Sequence, residues 1–192
     1  MKLNKKKFLS YKLFNSSFTG LSIGILFTIY EPIKPLFFSI GGIILALGML
    51  IVARYYDSLL NIRSFYKISL LVEVIILLTL LFYLIFKQNL FSALIIYCSY
   101  QLTFIFGGYL VRAETLVAKN KEYLGKIDTK KQIGYLFGLV CSFVFYQLLE
   151  NGFKIYNPII QISILHYILI CLQIHIIDLL IKSFKKRKIN NY

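Results

Sequence analysis

The sequence predicts an all-α polytopic membrane protein: one bundle of six transmembrane helices over residues 1–192, with both termini cytoplasmic. Three observations predict it. Of 192 residues, 58% are hydrophobic and 16% charged, with mean hydropathy +0.73; soluble domains run at roughly 45–50% and about 25%. The charges fall in short blocks, separated by stretches close to the ~20 residues a helix needs to cross ~30 Å of hydrocarbon. Nineteen of the 22 basic residues then lie on one side if six helices alternate, leaving Lys34, Lys87 and Lys154 on the other. Short basic loops stay in the cytoplasm, which also points to the cell (inner) membrane.

The first span is 13–30, between Lys12 and Glu31. Its basic start is that of a signal peptide, but the apolar run is long and Tyr30-Glu31-Pro32 is a poor cleavage site, so it is read as a permanent helix. The Asn15-Ser16-Ser17 sequon lies at its cytoplasmic edge and is assigned no glycan. Pro32 and Pro35 close this helix and open the second, 35–53. The third span, 68–86, is interrupted only by Glu73, and Lys87, Gln88 and Asn89 form the turn into an uncharged fourth span that starts at residue 88 and runs to 111. A cytoplasmic connection covers 112–131. In it Ala113, Leu116, Val117, Leu124 and Ile127 recur near helical spacing opposite Lys119, Lys121 and Lys126, which predicts a short helix lying on the membrane surface. The fifth span is 132–149, and the sixth, 155–181, is interrupted only by Asp178. Apolar residues run consecutively, as in 75–82, where a barrel strand would alternate; in lipid such segments satisfy their backbone groups as helices.

A net charge of +14 in a soluble chain would suggest a nucleic-acid partner. Here the basic blocks cap membrane spans, so no nucleic acid is expected. The partners implied are the bilayer itself and anionic lipids at the basic termini and loops, above all Lys185-Lys186-Arg187-Lys188. Cys98, Cys141 and Cys171 fall in three different spans and read as small apolar side chains. No carboxylate pair, His-x-x-x-His or Cys-x-x-Cys has metal-ligand spacing, so neither metal nor cofactor is expected. Gly20-Leu21-Ser22-Ile23-Gly24 spells a nucleophile elbow, but that motif needs a strand-turn-helix setting. Gly20 with Gly24, and Gly134 with Gly138, read instead as small-x-x-x-small pairs for close helix packing.

Ionisable groups at membrane depth are costly and default to functional candidates. Glu73 is the deepest; its alternative is a pair with Lys67 or Arg63. On the sixth helix Cys171, His175, Asp178 and Lys182 share a face, and Gln161, His166 and Gln173 add polarity. Glu73, His175, Asp178, His166 and Gln173 are therefore the substrate or coupling candidates, with an Asp178–Lys182 surface pair as the alternative for the stripe.

From Gly41-Gly42 through Leu47-Gly48 to Ala53-Arg54-Tyr55-Tyr56-Asp57 and Arg63, and again at Gln132-Ile133-Gly134-Tyr135-Leu136-Phe137-Gly138, the chain resembles one six-helix half of a major facilitator superfamily transporter. In that family a small-residue second helix leads into a loop with an aspartate followed by basic residues, which Asp57 and Arg63 match. The loop departs from the family in having Ser58, Leu59, Leu60 and Asn61 where glycines flank the aspartate, and the second half is absent from the sequence. The resemblance implies a half-size unit that moves a small solute as a homodimer or with a membrane partner, since such transporters bind between two halves. A non-catalytic membrane subunit or assembly factor is the alternative, and an intramembrane enzyme the least favoured reading.

Overall fold

Lysines do not stop the first helix. In the computed structural model, which describes residues 1–30, 34–86 and 90–185, α1 runs Lys5–Tyr30 and so takes in four lysines that charge alone would place ahead of a span. Asn4 starts it, its side chain accepting from the Lys7 amide at 3.3 Å. The chain continues through α2 (Pro35–Arg54), the short α3 (Tyr56–Leu59), α4 (Ile62–Ile85), α5 (Leu90–Ile105), α6 (Gly107–Ala118), α7 (Lys121–Gln147) and α8 (Pro158–Ser183). A π turn, Leu148–Gly152, extends α7.

The starts follow local chemistry. Asn61, Asn120 and Asn157 each accept backbone N–H groups at the heads of α4, α7 and α8, satisfying donors that a helix N-terminus leaves open. Pro35 and Pro158 occupy first-turn positions, where a missing N–H costs nothing.

Five helices are long and apolar enough to cross a membrane: Pro35–Arg54, Ile62–Ile85, Ala93–Ala118, Lys121–Gly152 and Pro158–Ser183. The third of these is interrupted at Phe106, where α5 gives way to α6 beside Gly107 and Gly108. The surface helix expected within 112–131 does not form. Its residues continue α6 to Ala118 and begin α7 at Lys121, so that only Lys119 and Asn120 connect the two. The physical reason is that Ala113, Ala118, Tyr123 and Ile127 are buried in the bundle core and Glu114 is paired with Lys12 of α1 and Lys131 of α7, so these residues pack inside the bundle rather than on a membrane surface. The turns expected around Glu31–Pro32 and at Lys87–Asn89, and the basic tail beyond Lys185, lie outside the described residues.

Contacts along the helices give their directions. Tyr123 donates to the Lys5 carbonyl, Gly138 meets Ser17 and Gly24 meets Tyr146, so α1 and α7 run parallel. Phe8 and Tyr11 of α1 meet Phe65 and Glu73 of α4, again parallel. α8 runs against both: Phe14 touches His175 and Asn4 donates to the Ser183 carbonyl. The two ends of the described chain meet in a two-residue antiparallel ladder, Lys2–Leu3 with Phe184–Lys185. Below it Phe8, Phe65 and Phe184 form a triangle with ring centroids 5.9–6.1 Å apart, a favoured aromatic separation.

The α1–α7 contact is backbone against backbone. A Cβ on Gly134 would overlap the Leu13 carbonyl oxygen, one on Gly138 the Ser17 carbonyl, and one on Gly20 the Tyr135 carbonyl. Gly24 is different, with only the Tyr146 ring 3.5 Å away.

Candidate functional site

Glu73 sits one-sided on α4, in the row of Phe65, Ser69, Val72, Glu73 and Leu80 that faces the bundle interior. It is 1% exposed. Three side chains from two other helices reach its carboxylate. Tyr11 Oη donates to Oε1 at 2.6 Å and Asn15 Nδ2 to the same oxygen at 2.8 Å. Tyr11 and Asn15 are four apart on α1 and so share a face. From α8, Gln173 Nε2 donates to Oε2 at 2.7 Å and to the Glu73 backbone carbonyl at 2.9 Å. Those two bonds settle the amide orientation, because a flipped Gln173 would set acceptor against two acceptors. Gln173 Oε1 is thereby left buried with no hydrogen-bond partner among the described residues.

All three partners of the Glu73 carboxylate are neutral. Lys67 and Arg63, the cations that the sequence offers, are not among them; the ion pairs found among the described residues involve other groups. The bundle holds a second buried acid that sequence reading missed. Glu114 of α6 is 3% exposed and forms ion pairs with Lys12 of α1 and Lys131 of α7. Tyr11 and Lys12, adjacent on α1, thus serve the two buried acids in turn. Glu114 is one of three acids, with Glu122 and Asp128, in a basic stretch assigned to a loop, and nothing in the sequence singled it out.

The remaining candidates scatter. His166 is buried, its Nδ1 2.8 Å from the Ile162 carbonyl and its ring stacked on Tyr83 at 4.0 Å. It shares the α4–α8 seam with Glu73 and Gln173 at a level farther from the chain ends. His175 is exposed and edge-on to Phe14 at 4.9 Å. Asp178 is about half exposed and pairs with Lys182 at 2.6 Å. The structure therefore brings Glu73 and Gln173 together, with His166 along the same seam, and leaves His175 and Asp178 outside it. Asp57 and Arg63 are both exposed, and the ion pairs among the described residues do not join them. Ser22 donates to the Thr19 carbonyl at 3.3 Å. Among the described residues no group of three or more His, Cys, Asp or Glu could hold a metal ion.

No known protein family, curated protein or solved structure matches this chain.

A carboxylate held by a phenol and two amides in a dry interior is chemically poised. Short bonds to an ionised acceptor are the strong kind, yet three neutral donors do not cancel the charge of the ionised form, and holding that charge away from water is costly. Gaining a proton or a small cation would cancel that charge. The spare Gln173 Oε1 offers one more oxygen to the same neighbourhood.

Proposed function

We propose that the chain is a half-size membrane transporter unit, working as a dimer or with a membrane partner, and that Glu73 is its coupling group. The observation that carries this is the buried Glu73 carboxylate, hydrogen-bonded by Tyr11, Asn15 and Gln173 and in no ion pair among the described residues. An intramembrane acid that served only to hold helices together would be better matched by a cation, as Glu114 is by Lys12 and Lys131. The likeness of 41–63 and 132–138 to the transporter family supports the same reading, with α1 as the sixth span beside the five apolar helices.

The test is solute-evoked charge movement. The full chain reconstituted in liposomes on a solid-supported membrane is challenged in turn with amino acids, sugars, nucleosides and monovalent cations at two pH values. A transient current to one class is expected, lost at least about tenfold in Glu73→Gln (1.4 kcal/mol per factor of ten) and retained in Asp178→Asn. Both variants are first checked for monodispersity and unchanged helical content. Silence of the folded wild type to every class would overturn the reading.

A second reading, a non-catalytic membrane subunit, is favoured by one observation. Among the α2 residues only Gly41 is buried, while Leu36, Ile43, Ile44, Leu47, Leu50 and Ile51 are each more than half exposed. Gentle detergent extraction that recovers a stoichiometric heterologous partner, released by polar substitution at Ile44 and Leu47, would support it; recovery of a clean self-dimer would count against it.

A further inference from the structure

At the end of the bundle where the chain ends meet, a pocket of about 390 Å³ opens between the N-terminal segment, the head of α4 and the tail of α6. Its volume is in the range of small-ligand sites. Its charged lining is of one sign: Lys2, Lys5 and Lys119, with no acidic residue among the lining groups. None of the three lysines takes part in an ion pair among the described residues. Nearby acids have closer cations than the pocket lysines, Glu114 in Lys12 and Lys131 and Glu122 in Lys126, with Lys5 a weaker influence on Glu122. Lys5 is held over the Tyr123 ring, 4.8 Å from its centroid. Asn61, which caps α4, brings the positive end of a 24-residue helix to the wall.

Lys119 is the informative residue. It closes α6 with φ 66°, a left-handed conformation that glycine takes at no steric cost and that lysine takes at some. The chain thus places a cation on the pocket where a glycine would fit the backbone better. On the open side the walls turn apolar, with Leu116 more than half exposed and Val117 beside it.

We infer that this pocket binds a phosphate group, with Lys2, Lys5 and Lys119 as its ligands and Leu116 and Val117 flanking whatever carries the phosphate. Basic pockets between helices at the cytoplasmic face take anionic headgroups, and the apolar rim suits a phospholipid; a soluble phosphate ester has the same headgroup chemistry. The inference is independent of the transport reading, because no Glu73 contact enters it.

The test is native mass spectrometry of the full chain in neutral detergent, titrated with phosphatidylglycerol and, separately, phosphatidylcholine. Wild type is expected to retain phosphatidylglycerol selectively. In K2E/K5E/K119E its binding should weaken on the order of a hundredfold, at about fivefold for each lysine. The charge-matched K34E/K130E/K154E, on exposed lysines outside the pocket and away from it in the chain, should bind within about threefold of wild type, since a distant surface charge is largely screened. All six positions are exposed, and thermal melts check that both triples remain folded. Two competitors, inorganic phosphate and glycerol phosphate, separate the sources: displacement of the lipid by millimolar competitor identifies a soluble phosphate ester, and resistance to it identifies the lipid headgroup. Equal weakening in the two triple variants, or in neither, would overturn the site.

Discussion

Removing one hydroxyl separates the two buried acids. Tyr11→Phe leaves the Glu73 carboxylate with two donors rather than three and is expected to destabilise the protein by about 1–3 kcal/mol, the cost of stranding a buried charged acceptor. Tyr109→Phe, which removes a bond to the Leu59 backbone carbonyl at 2.9 Å, should cost about 0.5–1.5 kcal/mol. Reversible unfolding in mild detergent measures both, and equal losses would remove the special standing of Glu73. For the second acid the order is reversed by charge. Glu114→Gln leaves Lys12 and Lys131 facing each other and should cost about 3–5 kcal/mol. Lys131→Met should cost clearly less, because Lys131 is 27% exposed and Glu114 keeps Lys12. Glu73 was legible in the sequence because an acid in an apolar run stands out. Its partners were not, since Tyr11 and Asn15 look like ordinary residues at a helix edge and only the three-dimensional crossing of α1, α4 and α8 joins them. Glu114 was illegible for the opposite reason: among so many lysines it looked solvated.

Glycine spacing was visible along α1 and α7, but not that the two pairs would face each other. Small-x-x-x-small patterns state that a backbone can be approached and are silent on which helix approaches. Gly20, Gly134 and Gly138 meet backbone directly, whereas Gly24 meets a ring that can move. Gly134→Ala is accordingly expected to force α1 and α7 apart at a cost of about 1–3 kcal/mol, the usual penalty of overpacking. Gly125→Ala, on the same helix with open space around its added methyl, should be neutral or stabilising by about 0.5–1 kcal/mol. Melting the two variants in parallel checks the contact, and a Gly134→Ala protein as stable as wild type would mean that the helices are not in backbone contact. Helix ends were read less well than helix existence. Charge was taken as the stop signal, yet the stops that operate are the Asn120 and Asn157 caps and the Pro35 and Pro158 starts, while lysines and Glu114 continue inside α1, α6 and α7.

On the scale of the whole molecule, the parallel set α1, α4 and α7 and the opposed α8 carry a directional consequence. The short α3 and the start of α7 lie at the end where the chain ends pair, and the π turn after α7 lies at the other. Ser58, Lys121 and Asn151 are exposed and therefore report on the two faces. With Cys98, Cys141 and Cys171 replaced by alanine, single cysteines at positions 58 and 121 should react with a membrane-impermeant maleimide only after the cells are permeabilised. A cysteine at position 151 should react in intact cells. The assignment of sides comes from the basic residues, which crowd the end holding the N-terminal segment, α3 and the α6–α7 connection. The equivalence of positions 58 and 121 comes from the helix directions and does not depend on charge. Labelling of all three from outside would end the alternating bundle, and a clean inversion of the pattern would keep the bundle while reversing its orientation. The basic pocket formed by Lys2, Lys5 and Lys119 would then face away from the leaflet in which a cytoplasmic anionic headgroup resides, so the same three cysteines also decide which lipid surface that pocket can meet.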